Sequence, residues 1–164
     1  MIGVLALQGD FAAHTKAFGA VEVRHAEEID RCHTLILPGG ESTTMLKLME
    51  GTRLEEAIHS LATRGGKILG TCAGAILLAK EVLPAGQRSL DLIDITIERN
   101  SYGRQVESFD TPLGPFIRAP RITRVGKGVD VLKEWEGDPV LLRQGNITVA
   151  TYHPELAAEP SLTI

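Results

Sequence analysis

The chain has 164 residues, of which 43% are apolar, and its formal net charge is −4. This length and composition are typical of one soluble domain with a single core, so we expect residues 1–164 to form one domain. The slightly negative charge, the lack of a Lys/Arg-rich run and the lack of a bilayer-length apolar stretch argue against nucleic acid and membranes as partners.

Short apolar runs alternate with helical patterns in the first half of the chain. The runs show no polar–apolar alternation, as is typical of strands buried on both faces, and they occupy residues 2–8, 34–37 and 67–70. Apolar residues at helical spacing predict helices at 11–18, 42–50, 54–63 and 73–80. This alternation predicts a doubly wound α/β fold with a mostly parallel sheet and helices on both faces.

The second half of the chain is richer in strand patterns and turns. Shorter strands are predicted at 90–98, 103–109, 115–118, 121–125, 129–135 and 139–151, with turns such as Gln144-Gly145-Asn146 between strand segments. We expect these strands to form a mixed, partly antiparallel extension of the same sheet.

The segment Gly70-Thr71-Cys72-Ala73-Gly74 follows a predicted strand and begins a predicted helix. This is the cysteine form of the nucleophile turn, in which flanking glycines relieve crowding and the helix N-terminus favours a thiolate. The Ala73 amide is then a candidate oxyanion donor. A structural, buried cysteine is the alternative. Cys32 has no such setting, and two distant cysteines fit a reducing cytoplasm rather than a disulfide framework.

A cysteine nucleophile needs a histidine base and a group that orients the base. Of the five histidines, His153 is the candidate because it ends a predicted strand and precedes Pro154 and Glu155. Glu155 lies two residues along the chain, so its carboxylate can return to the imidazole. His14 lies near the end of the first strand but has no acidic partner at useful spacing in the sequence. The alternative for His153-Pro154-Glu155 is a surface loop.

The segment Pro38-Gly39-Gly40-Glu41-Ser42 connects a predicted strand to a helix. Successive glycines can present backbone N–H groups to an anion, and Gly40 is the candidate second oxyanion donor. Glu41 and Ser42 are candidates to contact an amino-acid substrate. The alternative is an ordinary strand–turn–helix connection with Ser42 as the N-cap.

Taken together, these motifs resemble those of class I, triad-type glutamine amidotransferases, and in particular the glutaminase subunits of pyridoxal 5′-phosphate synthase. The resemblance extends over nearly the whole chain and is carried by residues 5–11, 38–44, 70–74, 98–100, 102–109, 116–120 and 153–156. It implies a flavodoxin-like fold, L-glutamine as the substrate, and a separate β/α-barrel synthase subunit that receives ammonia in a hetero-oligomer. It implies no cofactor and no metal in this subunit.

The resemblance also implies roles for individual residues. Cys72 would be the nucleophile, His153 the base and Glu155 its orienting group. The glutamine site would be lined by Gly40, Glu41, Ser42, Arg99, Ile117 and Arg118. Arginine suits a substrate carboxylate because its planar fork matches two oxygens.

Two other functions compete with this interpretation. One is an amidotransferase subunit of another pathway, such as histidine biosynthesis, which the resemblance at residues 103–108 argues against. The other is a catalytically silent scaffold of the same fold, which the joint presence of Cys72, His153 and Glu155 argues against.

Overall fold

The computed structural model describes residues 1–100, 111–158 and 162. In chain order, its elements are β1 (Ile2–Leu5), α1 (Phe11–Phe18), β2 (Val21–Val23), α2 (Ala26–Ile29), β3 (Thr34–Leu37), α3 (Ser42–Met49), α4 (Leu54–Thr63), β4 (Lys67–Thr71), α5 (Ala73–Leu78), β5 (Ala79–Leu83), β6 (Ile93–Glu98), β7 (Arg121–Val125), β8 (Asp130–Trp135), β9 (Asp138–Gln144) and β10 (Ile147–Ala150). A short 3₁₀ turn at Pro154–Leu156 follows.

The main sheet has the strand order β2-β1-β3-β4-β10-β9-β8. Its first five strands are parallel, whereas β9 and β8 pair antiparallel. In the central strands Gly70 lies opposite both Leu37 and Val149. The carboxyl ends of β3, β4 and β10 therefore meet at one edge, where open α/β sheets bind ligands.

Both faces of this sheet are covered because successive strand residues point to opposite sides. Leu35, Leu37 and Ile68 belong to the larger core beneath α3, α4 and α5. Ile36 and Leu69 belong to a smaller core on the other face, which also contains Val4 and contacts Phe11 and Phe18 of α1. The expectation of a flavodoxin-like, doubly wound α/β fold is confirmed.

The expected extension of the sheet is correct for β10, β9 and β8 but wrong for the preceding strands. β5, β6 and β7 form a separate three-stranded sheet, in which β5 and β6 are parallel and β7 is antiparallel. Its inward residues, among them Val82, Ile95 and Ile122, join the larger core instead of continuing the ladder of the main sheet. The sequence pattern shows that these strands are buried on one side but does not specify which strand lies beside them.

The predicted helices at 11–18 and 54–63 are confirmed, and the other two end one and two residues early. The last of them ends at Leu78 because Ala79 begins β5. Segment 115–118 is not a strand: Phe116 makes one isolated bridge. The expected strand at 103–109 lies outside the described residues. Within the described ranges, no helix combines the length and the apolar character that crossing a membrane requires.

Candidate active site

Cys72 occupies a strained turn between β4 and α5. Its φ of 49° and ψ of −105° lie in a region that residues with a side chain rarely adopt. The close approach of neighbouring backbone explains the two glycines: a Cβ on Gly70 would lie 2.6 Å from the Gly74 carbonyl oxygen, and one on Gly74 would collide with the Leu37 carbonyl oxygen. The Cys72 amide donates to the Ala150 carbonyl oxygen at 2.8 Å, which fixes the turn to β10.

His153 follows β10 and forms a buried pair with Glu155. Its Nδ1 lies 2.6 Å from Glu155 Oε1, and the two side chains are 8% and 0% exposed. Burial disfavours the imidazolium, but hydrogen bonds and charge interactions with Cys72 and Glu155 outweigh it and raise the pKa of His153 to about 10. The imidazole therefore carries its proton beside the sulfur.

A cavity of about 390 Å³ opens at this edge of the sheet. All the expected site residues line it except Glu155, which stands behind His153. Those lining residues are Gly40, Glu41, Ser42, Cys72, Ala73, Arg99, Ile117, Arg118 and His153. The Ile117 carbonyl oxygen lies 3.9 Å from Cys72 Sγ. Segments that are far apart in sequence thus line one cavity with the Cys72 side chain.

The residues of the two candidate oxyanion donors, Gly40 and Ala73, line the same cavity as Cys72. In the described part of the chain, no protein acceptor pairs with the amide of Gly40 or of Ala73. Gly40 has a φ of 151°, and a Cβ there would lie 2.9 Å from the backbone Cα of Gly9. Glycine therefore suits this position, and Gly40 lines the cavity.

Charged and polar side chains lie at the outer part of the cavity. Arg118 Nη1 lies 3.2 Å from Glu41 Oε1, and both side chains are about half exposed. Arg99 Nη1 donates to Gln87 Oε1 at 2.6 Å, and Gln87 Nε2 donates to Ser42 Oγ at 3.0 Å. Ser42 is not an N-cap, since α3 begins at Ser42 itself and its hydroxyl pairs with Gln87 instead of a helix amide.

Sequence reasoning missed several residues of the site. His14 does have an acidic partner: its Nε2 lies 3.4 Å from Glu155 Oε2. Asp10 lines the cavity, and burial followed by the charge of Glu155 raises its pKa. Loops that follow parallel strands are a usual place for site residues, so the position of Asp10 between β1 and α1 is a signal that could have identified it. Gln87 lies on a turn with no motif, so nothing local distinguishes it.

Asp10, His153 and Glu155 place three possible ligand atoms within 4.8 Å of one another. A metal ion would require a neutral imidazole with a free lone pair. His153 instead has a pKa raised to about 10, and its Nδ1 is hydrogen-bonded to Glu155. The group is better suited to holding a proton than a metal ion.

Comparison with known proteins now gives the family of the chain. The family model described as SNO glutamine amidotransferase family matches residues 4–162. The chain belongs to this family. Its relatives include the pyridoxal 5′-phosphate synthase subunit PdxT of Solibacter usitatus, which is 49% identical over 94% of this chain and 91% of that protein. PdxT of Thermotoga maritima is 44% identical with the same two coverages.

A solved structure supports the same conclusion. A crystal structure described as a glutamine amidotransferase superimposes with a TM-score of 0.89 at 43% identity, covering 97% of this chain and 93% of that one. For a member of this amidotransferase family, a cavity with a cysteine at a strained turn and a buried His–Glu pair is the candidate place for the chemistry.

Proposed function

We propose that this chain hydrolyses the side-chain amide of L-glutamine and supplies the ammonia to a synthase subunit that makes pyridoxal 5′-phosphate. The observation that carries the proposal is the meeting of Cys72 with the buried His153–Glu155 pair in one cavity. We propose that residues 1–164 act as one glutaminase domain, since the cavity draws on segments from Gln8 to Leu156.

The first half-reaction forms a thioester. The Cys72 thiolate attacks the carboxamide carbon, and the new C–S bond pushes the carbonyl electrons onto oxygen. The amides of Gly40 and Ala73 bind this oxyanion, and each such donor typically contributes about 10²–10³ in rate. When the intermediate collapses, the C–N bond breaks and His153 gives its proton to the leaving nitrogen, which departs as ammonia.

The second half-reaction regenerates the cysteine. Once the sulfur is acylated, the charge and hydrogen bond that it offered to His153 are gone, and these are two of the causes that raise the pKa of His153. The imidazole can then accept a proton from water, which attacks the thioester. The C–S bond breaks, glutamate leaves, and the ion pair re-forms. Glu155 keeps Nδ1 protonated throughout, so the other nitrogen faces the reaction.

The charges of the outer cavity suit a free amino acid. The α-carboxylate of glutamine requires a cation and its α-ammonium requires an anion, and Arg118 and Glu41 supply both within 3.2 Å of each other. Arg99 offers a second guanidinium group for the carboxylate, and Gln87 orients that guanidinium group through a hydrogen bond. The side-chain amide can then extend inward towards Cys72.

The destination of the ammonia rests on the relatives. Those named as the pyridoxal 5′-phosphate synthase subunit PdxT cover more than nine tenths of this chain at 41–49% identity. A chain that resembles them over nearly its whole length is expected to dock on the corresponding synthase subunit. Co-purification with that subunit and glutamine-dependent formation of pyridoxal 5′-phosphate test this part of the proposal.

The chemistry is tested with two cysteine variants in the complex with the synthase subunit. We expect Cys72→Ala to abolish glutamate release from glutamine, and Cys32→Ala, which changes a buried cysteine outside the cavity, to retain it. A glutamine-like electrophile should label Cys72, and glutamine should block the labelling. Glutaminase activity that survives in Cys72→Ala would remove the assignment, and absence of selective labelling would favour the silent scaffold.

A further inference from the structure

Helix α1 contributes one fully buried side chain to the protein, and it is a histidine. His14 is 0% exposed and is the only buried residue of α1. Leucine or another apolar residue would ordinarily fill such a position, because a buried polar group loses its bonds to water. The contacts of the His14 ring therefore have to replace those bonds.

Both ring nitrogens of His14 have polar neighbours. Nδ1 lies 2.7 Å from the carbonyl oxygen of Asp10, which can only accept, so Nδ1 carries a hydrogen. Nε2 lies 2.9 Å from Thr71 Oγ1 and 3.4 Å from Glu155 Oε2. Thr71 immediately precedes Cys72, so one imidazole contacts both the nucleophile turn and the carboxylate that orients His153.

Glu155 needs such a contact on its second oxygen. Its Oε1 pairs with His153, whereas Oε2 is buried and makes no hydrogen bond of good geometry. A buried carboxylate oxygen without a partner is costly. Rotation of the carboxylate towards another donor would also remove Oε1 from His153.

We propose that His14 is a positioning residue: as the imidazolium, with a hydrogen on each ring nitrogen, it donates from Nε2 towards Glu155 Oε2 at 3.4 Å and so holds the carboxylate against His153. This inference rests on the proposed glutaminase function. The other ionisable groups near Glu155 are His153, on its opposite oxygen, and Asp10. Because a negatively charged Asp10 would repel Glu155, a donor on the Oε2 side counters that repulsion.

The test replaces His14 with two side chains of similar length and shape in the complex with the synthase subunit. In His14→Gln an amide can take the place of Nε2 and donate to Glu155, whereas His14→Met has no donor. Both are long, unbranched side chains with good helix propensity, so α1 should be retained. Phe18→Leu is the control, because Phe18 packs against the His14 ring at 6.0 Å between centroids but makes no polar contact with Glu155.

We expect His14→Met to lower kcat for glutamine by about 10²-fold, the usual scale for a catalytic group displaced by about 1 Å. KM should change by less than about threefold, because the substrate contacts remain. His14→Gln should recover most of kcat, even where Met gives the higher melting temperature. Phe18→Leu should lose stability without losing kcat.

Equal kcat values for the Gln and Met variants would overturn the proposal, as would a kcat that follows the melting temperature across all three variants. A second readout separates this result from failure of the glutaminase assignment. Alkylation of Cys72 by iodoacetamide needs no glutamine turnover, and we expect it to be slow in His14→Met and near wild type in His14→Gln. If the wild-type protein does not hydrolyse glutamine, the glutaminase proposal fails, but the alkylation rates still decide the role of His14.

Discussion

Gly39 offers a direct test of how closely the active-site segments pack. A Cβ added there would lie 2.5 Å from His153 Cε1, 3.2 Å from its Nδ1 and 3.5 Å from Cys72 Cβ. Gly39 is outside the left-handed region of φ, so alanine meets no backbone strain. The substitution Gly39→Ala therefore acts through contact with the His153 ring.

The size of the effect follows from these distances. Carbon atoms in contact prefer about 3.5–4.0 Å, so the His153 ring must move by about 1 Å. That shift disturbs the 2.6 Å contact of Nδ1 with Glu155 and moves the proton donor relative to Cys72. A displacement of about 1 Å typically costs about 10²-fold in rate, equivalent to about 2.7 kcal/mol of transition-state stabilisation. Overpacking should also lower the free energy of unfolding by about 1–3 kcal/mol.

The assay is steady-state glutamine hydrolysis by the complex with the synthase subunit, with unfolding followed in parallel. Gly128→Ala is the matched control, because a Cβ there meets only Gln144 Nε2, at 3.3 Å and at the end of a flexible side chain. We expect kcat to fall for Gly39→Ala and to stay unchanged for Gly128→Ala. A Gly39→Ala enzyme with kcat within about threefold of wild type would falsify the proposed packing of His153 against this turn.

Three further predictions concern single side chains. Gln87→Met should raise KM for glutamine by about tenfold with little change in kcat, because Arg99 loses the hydrogen-bond partner that orients its guanidinium group. An unchanged KM in a substrate titration would contradict this prediction. Asp10→Asn should raise the free energy of unfolding at pH 8, because the pKa of Asp10 is raised in the folded protein and its ionised form therefore lowers stability. This gain should vanish below about pH 3.8, where the carboxyl group is protonated in both the folded and the unfolded chain, and denaturant titrations at pH 3.5 and pH 8 measure the two values. Although burial opposes the imidazolium, Cys72 helps to raise the pKa of His153 to about 10. An NMR titration of Cys72→Ala should therefore give a lower pKa for His153, and an unchanged pKa would show that Cys72 does not contribute to the shift.

The parts of the fold that depend on short-range patterns of apolar residues could be predicted from the sequence. The apolar runs at β3 and β4 and the helical spacing of α1 and α4 match the observed elements, since each burial pattern repeats within a few residues. The first run, predicted at 2–8, forms a strand only at Ile2–Leu5. The second sheet was not predictable from such patterns. Which strand pairs with β6 is decided by tertiary packing, and an inward-facing residue of β6 has the same sequence pattern in either sheet.

The residues of the candidate site divide in the same way. The strain at Cys72 could be inferred because its glycines lie two residues away on each side, within the turn that needs them. The pairing of His153 with Glu155 could be inferred because two residues separate them. Gln87 could not be inferred, because its partners Arg99 and Ser42 lie 12 and 45 residues away and are brought together only by the tertiary fold.

His14 shows why spacing in sequence can mislead about a carboxylate partner. It lies 57 residues from Thr71, and the residues after β10 must pass the end of β4 before Glu155 reaches α1. No local pattern sets that path, but the path places the His14 ring beside Glu155 Oε2 while His153 occupies Oε1. A carboxylate held on both oxygens has less freedom to rotate than one held on a single oxygen. The proposed contact therefore makes the orientation of His153 depend on α1 as well as on its own turn, so changes to the α1 side of the sheet should reach Cys72 through Glu155.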